Sequence, residues 1–176
     1  MELTTRQKPT KYIVYCLIIL AADLLQNISG LFPEIGGARC FLLIPLTVFL
    51  AGGEDFLAAS LMGLFAGLLW DLTAAVHIGF NCILLTLFCF ICSTLITYIA
   101  RDIFVTNFIV STVSTIVYGI LYWLAFIVIK GVDGGYNTLF TFYIPCIIYT
   151  VIISLFIWAA VKPIKAKLNK TKNNGI

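Results

Sequence analysis

The chain predicts an all-α integral membrane protein: one domain of 176 residues folded as a bundle of six transmembrane helices. Three observations lead there. Residues of the AVILMFWYC set make up 61% of the chain and charged residues only 11%, where a water-soluble domain has about half and a quarter. The apolar residues fall in runs near membrane-crossing length, joined by short polar loops. The cations collect at one set of those loops. The surplus of apolar surface needs a solvent other than water, which excludes soluble enzymes and nucleic-acid-binding modules. A span takes about 20 residues, so this length holds at most about six or seven helices and no separate extramembrane domain.

The first run, 12–32, follows Arg6, Lys8 and Lys11. It is longer than a signal-peptide core and no small-residue cleavage site closes it, so it reads as a retained span. The second run, 40–53, rises only about 21 Å against a hydrocarbon core of about 30 Å, which leaves a re-entrant or interfacial segment as the alternative. Charge favours a crossing. With six spans and the N-terminus inside, Arg6, Lys8, Lys11, Arg101, Lys162, Lys165, Lys167, Lys170 and Lys172 are cytoplasmic, and only Arg39 and Lys130 are outside. Without the second crossing this asymmetry is largely lost. The short helix then needs a thinned bilayer or burial among its neighbours, with Pro45 bending it and Arg39 snorkelling.

The third run, 56–76, carries Ala59, Gly63 and Gly67 at intervals of four, one helix face without side-chain bulk that lets two backbones approach closely. Asp71 is next in that series, and the loop after it holds the chain's single histidine, His77. Asp71 and His77 read either as a proton or solute site or, for Asp71, as a cap on the next turn or an anchor to a neighbouring helix. The fourth run, 79–100, offers Thr86, Ser93 and Thr97; the fifth, 103–129, has a stripe of Ser111, Thr115, Tyr118, Gly119 and Tyr122. Such hydroxyls bond neighbouring helices or their own backbone, or line a solute pocket. The sixth, 137–161, leads into the basic tail 162–176, whose lysines Lys162, Lys165, Lys167, Lys170 and Lys172 anchor the chain to an anionic cytoplasmic leaflet rather than to nucleic acid.

Asp23 lies near the middle of the first run, and Gln26 and Asn27 share its face at spacings of three and four. A carboxylate at that depth faces protein. The three either bond another helix or bind a polar ligand. Glu54 and Asp55, in a tight cytoplasmic turn with Gly52 and Gly53, read as a solvated acidic corner or as a dock for a basic partner. The six cysteines lie mainly inside apolar runs, and the Cys89/Cys92 pair reads as small packing residues, so no metal site, disulfide scaffold or cofactor is expected. Phosphate-cradling glycine loops, metalloprotease helices and nucleophile elbows are missing, which argues against an enzyme.

The run Gly63-Leu64-Phe65-Ala66-Gly67-Leu68-Leu69-Trp70-Asp71-Leu72, a short loop, and Ile78-Gly79-Phe80-Asn81 opening the next helix resemble the rod shape-determining MreD family. Leu24-Leu25-Gln26, the loop 33–39, the short second segment and the basic tail resemble it too, so the likeness covers nearly the whole chain. The loop 73–77 lacks the Ser-Gly often found in that family. The resemblance implies a non-enzymatic scaffold of the bacterial cell-elongation complex in the inner membrane. It would bind the single-span protein MreC and, with MreB, RodA and a penicillin-binding transpeptidase, help direct lateral peptidoglycan synthesis. It also implies a fold similar to the substrate-binding subunits of energy-coupling-factor vitamin transporters, which supply the alternative function. The Ala-x-x-x-Ala docking pattern of those subunits is missing from the first run, where only the adjacent Ala21 and Ala22 occur.

Overall fold

The computed structural model describes residues 7–28, 40–74, 79–98, 103–129 and 135–170. All regular structure among them is helical: α1 (Gln7–Asn27), α2 (Leu43–Ala51), α3 (Phe56–Ala74), α4 (Phe80–Tyr98), α5 (Phe104–Trp123), α6 (Gly135–Thr138) and α7 (Ile144–Lys170). A π turn, Leu124–Val128, extends α5, and a second, Leu139–Tyr143, joins α6 to α7 as one rod. That second turn has a local cause. Pro145 gives no amide hydrogen and its ring crowds the carbonyl four residues back, at Thr141, and a widened turn there relieves both.

Successive rods run in opposite directions. Contacts at the start of α1 and the end of α7 meet the turn after α2, so the described chain begins and ends at the same end of the bundle, here the proximal end. The other is the distal end.

The short second segment is the centre of the molecule. Helix α2 begins at Leu43, later than the run 40–53 suggests, and has nine residues, all buried. It packs against α1, α3, α4, α5 and α7. A helix walled by protein need not match the bilayer thickness, because neither its flanks nor its ends face lipid. Burial among neighbours thus explains its length. Pro45 sits in the first turn, where an amide hydrogen would have no helical partner, so the proline costs this helix little.

Around α2 each rod turns a stripe inward at helical spacing. On α1 it is Lys11, Tyr15, Ile19, Ala22 and Asp23; on α5, Asn107, Ser111, Thr115 and Tyr118; on α7, Cys146, Thr150, Ser154, Ile157 and Val161. The outward faces are apolar. Leu57, Leu61, Leu64, Leu68 and Leu72 make an exposed ridge down α3, and Val105, Ile109, Val113, Ile116 and Ile120 another down α5. Four helical segments, Phe56–Thr73, Phe80–Tyr98, Phe104–Val128 and Leu139–Leu168, are long and apolar enough to cross a membrane. Exposed ridges of this extent are stable only against lipid or another protein.

Two boundaries differ from the sequence expectation. The first helix starts at Gln7, so Lys11 lies inside it rather than ahead of it. The last continues to Lys170, so most of the basic tail 162–176 is an extension of the final rod. Arg6, Arg39, His77, Arg101, Lys130 and Lys172 lie outside the described residues, as does the loop 33–39.

Candidate functional site

The polar side chains drawn from the sequence fall into three groups: the face of α3, the distal end of the bundle and the proximal end.

The small-residue face of α3 lies along α4. Ala59 packs with Ala51 and Cys89. A Cβ on Gly63 would fall on the backbone of Leu85 and Thr86, 2.8 Å from the Leu85 carbonyl carbon. One on Gly67 would fall on the Cys82 backbone, 2.6 Å from the Asn81 oxygen. Positions on α4 descend as those on α3 rise, the register of two antiparallel helices in backbone contact. The face predicted for close approach is thus occupied inside the chain, and the exposed leucine ridge lies on the opposite side of α3.

Asp71 completes the series at the distal end. Its Oδ2 accepts the backbone N–H groups of Gly79 (2.8 Å) and Cys82 (3.1 Å), and its Oδ1 accepts that of Asn81 (3.2 Å). The carboxylate therefore caps the first turn of α4, where the exposed amides and the positive end of the helix dipole favour an anion. It is 2% exposed. Gly79 has φ +95°, a left-handed conformation that spares the corner a strained side chain. Trp70, one residue earlier, stacks on Tyr118 at 5.3 Å and 19°, and the Tyr118 hydroxyl donates to Asn81 Oδ1 at 2.8 Å. Each distinctive residue of Gly67-Leu68-Leu69-Trp70-Asp71 thus has a defined place in one corner joining α3, α4 and α5. Replacing Asp71 by Asn removes the charge and turns a donor toward the amides. The expected loss is about 1–3 kcal/mol, read as a lower thermal midpoint in detergent.

Asp23 joins α1 to α3. Its Oδ1 lies 3.2 Å from the Thr73 hydroxyl and 3.3 Å from Asn27 Nδ2, which also donates to the Asp23 carbonyl at 2.8 Å. Gln26 serves a different helix: its Oε1 accepts the Leu43 N–H at 3.1 Å, at the start of α2. Just before it, the Phe41 N–H donates to Thr150 Oγ1 at 3.0 Å. The Leu43 and Phe41 amides at the α2 entrance are therefore satisfied by side chains from α1 and α7. Thr150→Val should leave the half-buried Phe41 amide without its partner at about 1 kcal/mol, a loss that Thr150→Ser, which keeps the hydroxyl, should largely restore. Comparing the two melting curves checks this.

The proximal end holds the residues that sequence reasoning missed. Glu54 is buried, not solvated. Its carboxylate pairs with Lys11 Nζ at 2.5 Å, the two side chains being 5% and 7% exposed. Tyr15 donates to the same oxygen at 3.3 Å, and Ser93 Oγ to the Glu54 carbonyl at 2.7 Å. The turn after α2, in which Gly53 adopts φ +71°, is thereby fastened to α1 and α4. Lys165 reaches in from α7 and donates to the carbonyls of Phe49 (3.1 Å) and Gly52 at the C-terminal end of α2. A cation there complements the negative end of the helix dipole. Lys162 lies 4.6 Å over the Trp158 ring, and Lys167 is exposed. One signal for the inward lysines was available. Lys11 lies four before buried Tyr15, and Lys165 four after buried Val161, each continuing its helix's inner stripe.

Other hydroxyls of the interior bond the backbone of their own helix. Ser111 and Thr115 are buried in the α5 stripe, where Thr115 donates to the Ser111 carbonyl at 2.9 Å. Cys92 Sγ lies 3.6 Å from the Val48 carbonyl, and none of the six cysteines is in a disulfide. Among the described residues the three buried carboxylates are divided between the two ends of the bundle. Glu54 is proximal, Asp23 and Asp71 distal, each bonded to another segment.

These features define the class: a multi-pass, all-α membrane protein whose buried carboxylates fasten helix ends. No family model matches the chain, and no curated protein or solved structure matches it.

Proposed function

We propose that this protein is a non-enzymatic membrane scaffold of the MreD type, a subunit of a bacterial cell-elongation complex in the inner membrane with both termini cytoplasmic. The observation that carries the reading is the Gly67–Asp71 corner. The stretch that resembles the family most is a structural joint, with Gly67 against α4, Trp70 against Tyr118 and Asp71 on three amides. A protein that positions partners needs such a joint and broad apolar flanks, and the leucine ridge of α3 offers a flank for a single-span helix such as that of MreC. The interior polar groups support the same view, since Asp23, Gln26 and Asp71 each hold another segment of the chain. The fold shared with vitamin-transporter binding subunits is part of this proposal.

The test is to tag the C-terminus, extract the protein into native nanodiscs and identify what accompanies it by mass spectrometry. MreC, RodA and a penicillin-binding transpeptidase are the expected companions. A coupling-factor membrane subunit with its ATPases would replace the scaffold by a transporter and make Asp23, Gln26 and Asn27 its candidate solute contacts.

A further inference from the structure

At the proximal end, between the first turn of α5 and the last third of α7, lies a cleft of about 450 Å³. Phe49 of α2 lies at its base, Phe104 and Asn107 line one side, and Trp158, Lys162 and Lys165 the other. Four features of this cleft point to one kind of ligand. Two ammonium groups share a wall, and no described residue lining the cleft is acidic. They are placed rather than free-swinging, Lys165 by the α2 carbonyls and Lys162 over the Trp158 ring. Helix α5 begins here with Ile103 as N-cap and no side-chain cap, so the positive end of its dipole adds to the field. An aromatic pair, Phe104 and Trp158 with ring centroids 4.3 Å apart, and the aliphatic Ile103 and Val161 make up an apolar wall.

The depth also fits. From Leu139 to Lys162 the last rod rises about 35 Å, roughly one hydrocarbon thickness, which brings the two lysines to the headgroup layer. A cationic pocket at that level, continuous with an apolar wall, matches an amphiphile with an anionic head. We propose that the cleft binds the headgroup phosphate of an anionic membrane phospholipid, Lys162 and Lys165 contacting the phosphate and the Phe104–Trp158 wall the start of an acyl chain. The site requires only that the bundle lies in a bilayer and is independent of the scaffold role.

The experiment uses the full chain in phosphatidylcholine nanodiscs doped with phosphatidylglycerol, with the lipid retained after gentle detergent extraction counted by native mass spectrometry. Each lysine near an anionic surface contributes about a fivefold preference, so phosphatidylglycerol should be retained roughly 25-fold over its share of the bilayer. Lys162→Gln, which leaves the Lys165 tie to α2 intact, should lower that enrichment about fivefold while the protein still folds and extracts as a monodisperse species. Lys167→Gln, on an exposed position of the same helix outside the cleft, should leave it unchanged. Equal retention of both lipids by the unmodified protein would overturn the proposal. So would an effect of Lys167→Gln as large as that of Lys162→Gln, the mark of diffuse attraction to a basic helix. Release of the lipid by inorganic phosphate alone would make this a site for soluble phosphate and overturn the lipid assignment.

Discussion

Gly67→Leu should prevent α3 and α4 from closing, giving protein that aggregates on extraction and no monodisperse peak in mild detergent. The clash begins at the first carbon: a Cβ at this position meets the Cys82 backbone and lies 2.6 Å from the Asn81 oxygen. Backbone cannot rotate away as a side chain tip can. The cost therefore exceeds the roughly 1–3 kcal/mol usual for overpacking, and Gly67→Ala should already be harmful. Gly63→Leu meets the backbone of Leu85 and Thr86 and should behave alike. The neighbouring Leu68→Ala, on the exposed ridge, is the control and should extract normally. A Gly67→Leu protein that melts like the unmodified one would mean that α3 and α4 do not meet along this face.

The second large effect concerns the Lys11–Glu54 pair. Breaking a buried ion pair by removing one partner leaves an uncompensated charge in a medium that solvates it poorly, at about 3–5 kcal/mol. Lys11→Met and Glu54→Met should each show that loss. The double variant should recover most of it, because two apolar groups of similar size can replace a buried pair at little net cost. A double-mutant cycle on thermal unfolding reads the coupling directly. Additive losses would show that the two side chains do not interact across the 2.5 Å separation. The pair joins the first helix to the turn after α2, so the single variants should also expose that turn to proteolysis.

Much of the architecture was legible in the sequence because lipid imposes simple rules. Hydropathy located all six rods, and the four-residue rhythm of Ala59, Gly63 and Gly67 marked the face that meets α4. The role of Asp71 as a cap was one of two readings, and three amide contacts now describe it. What could not be read was pairing. Glu54 looks solvated in a Gly-Gly-Glu-Asp turn, and only the fold brings Lys11, 43 positions earlier, to its side. Lys165 belongs by composition to a basic tail, and only the burial of α2 gives it carbonyls to serve. Burial of α2 among its neighbours was one of two readings of its shortness, and its place at the axis could not be read, since a short, mostly apolar run looks the same at a surface, in a re-entrant loop or at the centre of a bundle. Charge sited on a buried stripe is the signal to follow in such chains. Lys11 and Asp23 bracket Tyr15 and Ile19 on one face of α1, and both found partners on other segments.

The central claim is that the deep polar groups hold the bundle together and carry no chemistry, and Asp23→Asn tests it most directly. The amide keeps the shape of the carboxyl and an oxygen for Thr73 while abolishing ionisation. Produced at normal level in its own host in place of the unmodified protein, the variant should fold and extract and, under the proposed scaffold role, sustain rod shape, with any loss of function matched by a loss of thermal stability. A well-folded, normally abundant Asp23→Asn protein that had lost all activity in the cell would contradict the account and assign the carboxylate a chemical or ligand-binding role.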